Sequence, residues 1–81
     1  MKINVRLFAV AKELAGSETI EIELPSGSTV ADLRHALFER FDRLKQFGPQ
    51  LRFAVNAEFA DDKTAMNADS DVACIPPVSG G

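Results

Sequence analysis

The sequence predicts an α+β fold of two layers, in which one main helix packs across one face of a mixed sheet of four to five strands. Short runs in which apolar and polar residues alternate are typical of half-buried strands. One longer segment, beginning at residue 29, repeats its apolar residues with helical spacing instead. The order is strand, strand, long helix, strand, short strand, strand, which favours a single sheet covered by one helix.

The first elements have clear boundaries. Residues 3–7 alternate and predict the first strand, and residues 11–16 predict one or two helical turns that end at a glycine. Residues 19–24 alternate without interruption and predict the second strand. A turn at residues 25–28 follows, with the composition Pro-Ser-Gly-Ser.

The main helix is predicted to begin at Thr29, because Asp32 follows three residues later in an approximate capping-box arrangement. At about 100° per residue one side of this helix is apolar. The apolar stripe consists of Val30, Leu33, Leu37, Phe41 and Leu44. The Phe-Gly-Pro sequence at residues 47–49 breaks the pattern.

Three further strands are predicted at residues 51–55, 58–60 and 71–75. Asn56 and Ala57 predict the turn between the first two of these strands. This order of elements is similar to that of the ubiquitin-like β-grasp roll, whose first and last strands lie side by side and parallel in the middle of the sheet. We therefore expect a β-grasp domain over residues 1–75 and an extended, flexible C-terminal tail over residues 76–81.

Composition narrows the possible partners and locations. The chain has 81 residues, of which 46% are hydrophobic and six are Phe, enough for one small core. Its net charge of −3 disfavours nucleic acid or an anionic membrane as the main partner. The longest apolar run, residues 7–11, is too short for a membrane span or a signal peptide. We therefore expect a cytoplasmic protein.

Few residues could perform catalysis. His35 is the one histidine and lies on the polar side of the predicted helix. No second histidine or paired carboxylate accompanies it, as acid–base catalysis or a metal site would require. Cys74, the one cysteine, is in phase with Val72 on the last strand, which predicts a buried and unreactive thiol. We expect no metal, no cofactor bound by this chain, and no catalysis by the chain alone.

The C-terminal sequence Pro-Pro-Val-Ser-Gly-Gly carries the most specific signal. Gly80 and Gly81 lack a Cβ atom, so their backbone fits a channel too narrow for side chains. Pro76 and Pro77 hold the chain extended, and the six residues span roughly 20 Å. Such a tail could carry a free carboxylate into a partner's active site. The alternative is a frayed terminus or a cloning scar.

Three apolar residues are out of phase with the core. If residues 3–7 place their apolar side chains inward, Phe8 points outward, and Ile75 does the same at the end of the last strand. Phe59 is the third candidate. An exposed apolar patch beside a tail is typical of a docking surface. A β-bulge or a bend at the strand end would instead return these side chains to the core.

Along its full length the chain resembles the small, sulfur-carrying subunit of molybdopterin synthase. The resemblance is carried by residues 7–9, 12–16, 55–58 and 71–81. The tail is its specific part, because Pro-Pro-Val-Ser-Gly-Gly is far more restrictive than Gly-Gly alone. Two departures stand out: the family commonly has arginine where Lys12 stands, and Asp-Ser-Asp at residues 69–71 replaces a usual Asp-Gly-Asp turn. The first could weaken a bidentate contact to a partner, and the second affects only the turn.

The resemblance implies a sulfur carrier in molybdenum cofactor biosynthesis. An ATP-dependent adenylating enzyme, related to ubiquitin-activating enzymes, would form an acyl-adenylate at Gly81. A sulfur donor would convert it to a thiocarboxylate, and the large synthase subunit would use this sulfur to build the dithiolene of a pyranopterin. Gly81 is then a covalent cosubstrate and Gly80 gives clearance, in a heterotetramer of two small and two large subunits. The expected partner contacts are Phe8, Phe59, Ile75, Pro76, Pro77, Val78 and Ser79.

Two alternatives remain open. The chain could carry sulfur or modify proteins in another pathway, such as thiamine synthesis or tRNA thiolation, and only the Pro-Pro and Val-Ser context of the tail speaks against this. It could also be a β-grasp interaction module whose terminus is never activated. Genes encoded nearby would decide the first question, and the intact mass of the native protein would decide the second.

Overall fold

A computed structural model describes residues 1–77 of the chain. In that part of the chain five strands, two α-helices and a 3₁₀ helix that is interrupted at Gly48 follow one another. They are β1 (Lys2–Leu7), α1 (Ala9–Ala15), β2 (Thr19–Glu23), α2 (Val30–Arg40), the 3₁₀ helix Asp42–Gln50, β3 (Arg52–Val55), β4 (Glu58–Ala60) and β5 (Val72–Ile75).

The strands form one mixed sheet in the order β2-β1-β5-β3-β4. β1 and β5 are parallel, with Val5 opposite Val72 and Leu7 opposite Cys74. The other three pairs are antiparallel. The predicted α+β fold, with its first and last strands parallel in the middle of the sheet, is confirmed.

The core lies between the sheet and α2. Along β1, Ile3, Val5 and Leu7 are buried while the residues between them are exposed, as their alternation predicts. Val30, Leu33 and Leu37 of α2 are fully buried against this face. Phe53 of β3 is the largest fully buried side chain. Burial of these apolar side chains is the main stabilising contribution to so small a domain.

α2 has the predicted start but a different end. The Asp32 amide donates to the Thr29 hydroxyl at 3.4 Å, and the Thr29 amide donates to the Asp32 carboxylate at 2.9 Å, so the capping box is present. The helix ends at Arg40, because Phe41 leaves the helical region (φ −126°, ψ 85°). Leu44 therefore lies on the 3₁₀ helix, not on α2, although it is buried as predicted.

A tight turn joins β3 to β4. Asn56 and Ala57 both have positive φ, 53° and 69°, as a two-residue hairpin turn of type I′ requires. The Asn56 amide donates to the Asp71 carbonyl at 2.8 Å, and the Asp71 amide donates to the Asn56 side chain at 2.9 Å. The turn is thereby fixed to the residue that precedes β5.

Candidate functional site

The last strand ends in the middle of the sheet. β5 is flanked by β1 and β3, with Leu7 opposite Cys74 on one side and Arg52 opposite Ile75 on the other. Pro76 is buried and Pro77 is exposed. The chain therefore leaves the sheet between two neighbouring strands, and whatever lies beside β5 on those strands borders the root of the tail.

Phe8 and Phe59 are exposed, as predicted. Phe8 has 43% of its surface accessible and Phe59 has 59%, while Ile75 is half-buried. Phe8 follows β1 with extended backbone angles (φ −119°, ψ 154°), so the alternation continues one residue past the strand and no bulge turns the ring inward. These three residues, the docking patch, lie on the sheet face opposite α2. Their contact with a partner remains a prediction.

The middle of this outer face carries two alanines. Ala54 lies opposite Ala73 of β5 and also opposite Phe59 of β4. Ala73 in turn lies opposite Arg6 of β1. Two methyl side chains thus lie between the larger residues at either side, and Ala73 is itself buried among its neighbours.

Two arginines border the docking patch, and sequence reasoning missed both. The Arg6 guanidinium donates two hydrogen bonds to the Asp71 carboxylate, at 3.1 and 2.9 Å, and lies 5.7 Å from the centroid of the Phe8 ring. The Arg52 guanidinium lies 4.0 Å from the centroid of the Phe59 ring. Alternation alone places Arg6 beside Phe8, two residues further along, whereas the contact of Arg52 with Phe59 follows only from the pairing of β3 with β4.

A groove runs from the docking patch to the root of the tail. It has a volume of about 440 Å³, and its lining residues are Gln50, Arg52, Phe59, Ile75, Pro76 and Pro77. Its walls are mostly apolar, and the polar groups are the Arg52 guanidinium and the Gln50 side-chain amide. A side chain or an extended segment of a partner could occupy it while that partner holds the tail.

Cys74 is part of the core and not of the candidate site. Its side chain is fully buried opposite Phe53. Burial raises the pKa of the Cys74 thiol from 9.0 to about 12, an effect that the nearby Arg34 guanidinium opposes only in part. The thiol is therefore protonated at neutral pH and inaccessible to reagents, which confirms the predicted burial.

His35 lies on the solvent side of α2, where it is within 3.2 Å of the Glu39 carboxylate. Over residues 1–77, no three His, Cys, Asp or Glu side chains cluster closely enough to hold a metal ion. In the same part of the chain, no helix has the length and apolar character that crossing a membrane requires.

The two departures from the family pattern are both accommodated. The Lys12 ammonium donates to the Glu18 carboxylate at 3.1 Å, so its charge has a partner within the chain. The Ser70 hydroxyl accepts a hydrogen bond from the Asn67 amide at 3.0 Å and closes the turn before β5. Positive φ is not found at Ser70, so glycine is not required there.

The tail residues with the most specific predicted roles are Val78, Ser79, Gly80 and Gly81. All four lie outside the described residues, and their roles remain predictions.

Comparison with known proteins gives consistent results. The model of the ThiS family matches residues 5–81. A protein named molybdopterin synthase sulfur carrier subunit from Arabidopsis thaliana is 35% identical over 81 residues, which cover 100% of this chain and 84% of the relative.

Two solved structures extend the comparison. SAMP1 from Haloferax volcanii superimposes with a TM-score of 0.85 at 31% identity, over 100% of both chains. A chain from the complex of subunits 1 and 2 of molybdopterin-converting factor from Helicobacter pylori matches with a TM-score of 0.68 at 26% identity, also over 100% of both chains.

Proposed function

The chain belongs to the ThiS family, and we propose that it is the sulfur carrier of a molybdopterin synthase. Relatives that match 100% of this chain at 28% to 35% identity are named molybdopterin synthase sulfur carrier subunit. The destination of the sulfur is thus supported by the similarity of the whole chain and not by the tail alone.

The observation that carries the proposal is the position of β5 beside the docking patch. The strand lies at the centre of the sheet and ends at Ile75, while Phe8 is exposed at the end of the adjoining strand. A protein that covers Phe8 and Ile75 is therefore placed to receive the residues that follow Pro77. Burial of exposed aromatic residues supplies affinity, and the tail supplies the reacting group.

The reacting group in this proposal is the carboxylate of Gly81. A carboxylate is a poor electrophile, so its oxygen first attacks the α-phosphorus of ATP on the activating enzyme, which releases pyrophosphate and leaves an acyl-adenylate. A sulfur donor then displaces AMP and leaves a thiocarboxylate. In the large synthase subunit this sulfur is transferred to the pterin precursor. A dithiolene contains two sulfur atoms, so two loaded carriers are consumed for each product.

The described residues bind and position but do no covalent chemistry in this scheme. The Cys74 thiol is buried and protonated, so it is unsuited to relay sulfur. His35 lies on the solvent side of α2, within 3.2 Å of the exposed Glu39 carboxylate, and not on the sheet face that carries the docking patch. Acid, base and ATP site would all be supplied by the partners.

A second candidate function is protein modification. One neighbour at a TM-score of 0.83 and 29% identity is named small archaeal modifier protein 1. Both functions need activation of Gly81, and the fold alone does not separate them. The acceptor separates them: a modifier forms an amide with a lysine of a target protein, whereas a sulfur carrier returns with its original carboxylate.

Deletion of Gly81 tests the proposal in a reconstituted synthase. With the activating enzyme, ATP, a sulfide source and the large subunit, the deletion should abolish dithiolene formation and leave the melting temperature nearly unchanged, because a tail contributes little to the core. His35→Ala, a surface change on α2, serves as the control and should transfer sulfur normally. Wild-type activity of the deletion variant would refute the carrier mechanism.

A further inference from the structure

Arg52 differs from the other charged residues around the docking patch. It is exposed on β3, directly opposite Ile75, and its guanidinium lies 4.0 Å from the Phe59 ring centroid. The guanidinium stacks on the Phe59 ring and lines the groove that Pro76 and Pro77 also line. The chain thus presents a positioned cation next to the root of its tail.

Within the described part of the chain, the Arg52 guanidinium forms no ion pair. Arg6, on the same face, is neutralised by two hydrogen bonds to Asp71. Asp61 and Asp62 line a second pocket together with Arg52, but within residues 1–77 neither forms an ion pair with it. Asp61 accepts hydrogen bonds from the residues that follow it, and Asp62 pairs with Arg34.

An unpaired guanidinium limits what can cover this surface. If an apolar partner surface buried Phe59 and Ile75, it would also remove water from Arg52 and leave a charge without compensation. A partner that supplies a carboxylate at this point avoids that penalty, and the fork-shaped guanidinium can bind it through two parallel hydrogen bonds. Since the chain as a whole has a net charge of −3, a local cation also orients the encounter.

We propose that Arg52 is a specificity determinant for docking: it pairs with a carboxylate on the large synthase subunit, which lies over the groove between Phe59 and Pro77. The inference rests on the proposed function and adds the chemistry of the contact. Phe59 holds the guanidinium in place, and the pair fixes the orientation in which the partner receives the tail. Arg6 has no such role, because its guanidinium already pairs with the Asp71 carboxylate.

The test is the affinity of the full chain for the large subunit of the same organism, measured by calorimetry at about 0.05 and 0.5 M NaCl. Arg52→Met keeps the aliphatic stem and removes the charge. It should weaken binding at least tenfold at low salt and make the affinity less dependent on salt. Arg52→Glu should weaken binding further, and Arg52→Lys, which keeps the charge but loses the planar fork, should fall between wild type and Arg52→Met.

Arg43→Met is the matched control, since Arg43 is an exposed arginine on the 3₁₀ helix, in the helical layer of the fold. It should bind like wild type. Equal affinity and equal salt dependence of Arg52→Met and Arg43→Met would overturn the inference while leaving the proposed function intact. If the wild-type chain does not bind the large subunit at all, the proposed function fails and the inference fails with it.

A second arm excludes an effect through the tail of the chain itself. Arg52→Met is combined with amidation of the Gly81 carboxylate, which removes the terminal charge, and binding to the large subunit is measured again. If Arg52→Met lowers the affinity by the same factor as it does in the unmodified chain, a contact with the partner is supported. Disappearance of the effect would show that Arg52 pairs with the chain's own terminal carboxylate, which would contradict the inference.

Discussion

The Phe8 amide donates a hydrogen bond to the Cys74 carbonyl at 3.3 Å, one residue beyond the parallel pairing of Leu7 with Cys74. This bond extends the ladder between β1 and β5 to the end of β1. It positions the exposed Phe8 ring beside the end of β5, where the tail begins. The position of the docking patch is therefore fixed by backbone pairing in the centre of the sheet, and a mutation of the ring leaves that pairing intact.

Phe8→Ala should separate binding from stability. Loss of an aromatic anchor should weaken binding to the large subunit by more than about 1 kcal/mol. The free energy of unfolding should change little, because 43% of the residue's surface is already exposed. Calorimetric titration and urea denaturation measure the two quantities.

Phe53→Ala is the control for that experiment, because Phe53 is fully buried on the opposite face. It should destabilise the fold by about 3–5 kcal/mol. A similar loss for Phe8→Ala would show that the Phe8 ring contributes to the core.

Cys74→Ala should retain sulfur transfer. The thiol is fully buried and lies seven positions before Gly81 in the sequence, so it should not accompany the terminal carboxylate into a partner. Turnover of the reconstituted synthase measures the effect, with the packing loss followed by thermal denaturation. If the variant folds and forms the Gly81 thiocarboxylate but delivers no sulfur, the thiol takes part in delivery and the scheme based on the tail alone is contradicted.

The same residue should make stability depend on pH above neutrality. The unfolded chain loses the thiol proton near pH 9, whereas the folded chain, with a Cys74 pKa of about 12, retains it. Below pH 9 the thiol therefore leaves the free energy of unfolding unchanged. Between pH 9 and pH 12 it lowers that free energy by up to about 1.4 kcal/mol per pH unit. Urea denaturation of wild type and Cys74→Val from pH 8 to 11 should show the steeper fall in wild type. Parallel curves would contradict the assignment.

Ala57→Gly should stabilise the protein by about 1 kcal/mol, because Ala57 has a φ of 69° that glycine adopts without strain. Asn-Gly is also the preferred pair for a type I′ turn. Ala31→Gly, an exposed position on α2, should instead destabilise by about 0.5–1 kcal/mol. Changes of the same sign in both variants would show that strain at Ala57 is negligible.

Local patterns predicted most of the fold. Alternation located the strands and the buried face of β1, and Thr29 with Asp32 located the start of α2. The end of α2 was missed, because Phe41 and Leu44 keep a helical spacing across the break. Periodicity records the direction of side chains and is insensitive to a change from α to 3₁₀ geometry.

The candidate site was predictable only in part. Phe8 and Phe59 were correctly expected to be exposed, since phase along the strand determines the face. Arg52 was missed, because its contacts with Phe59 and Ile75 follow from pairing between strands that are distant in sequence. Local propensities and motifs do not show which residues Arg52 contacts. The register of β3 with β4 and β5 shows it.

Sulfur carriage by Gly81 is tested most directly by the mass of the intact protein. The chain is purified from its native cell without reducing agents that exchange sulfur, and its mass is compared with that of the Gly81 deletion variant prepared in the same way. Replacement of the terminal oxygen by sulfur predicts a species heavier by about 16 Da in the wild type alone. A single unmodified mass in the wild type, unchanged when the activating enzyme, ATP and a sulfide source are added, would contradict sulfur carriage by Gly81.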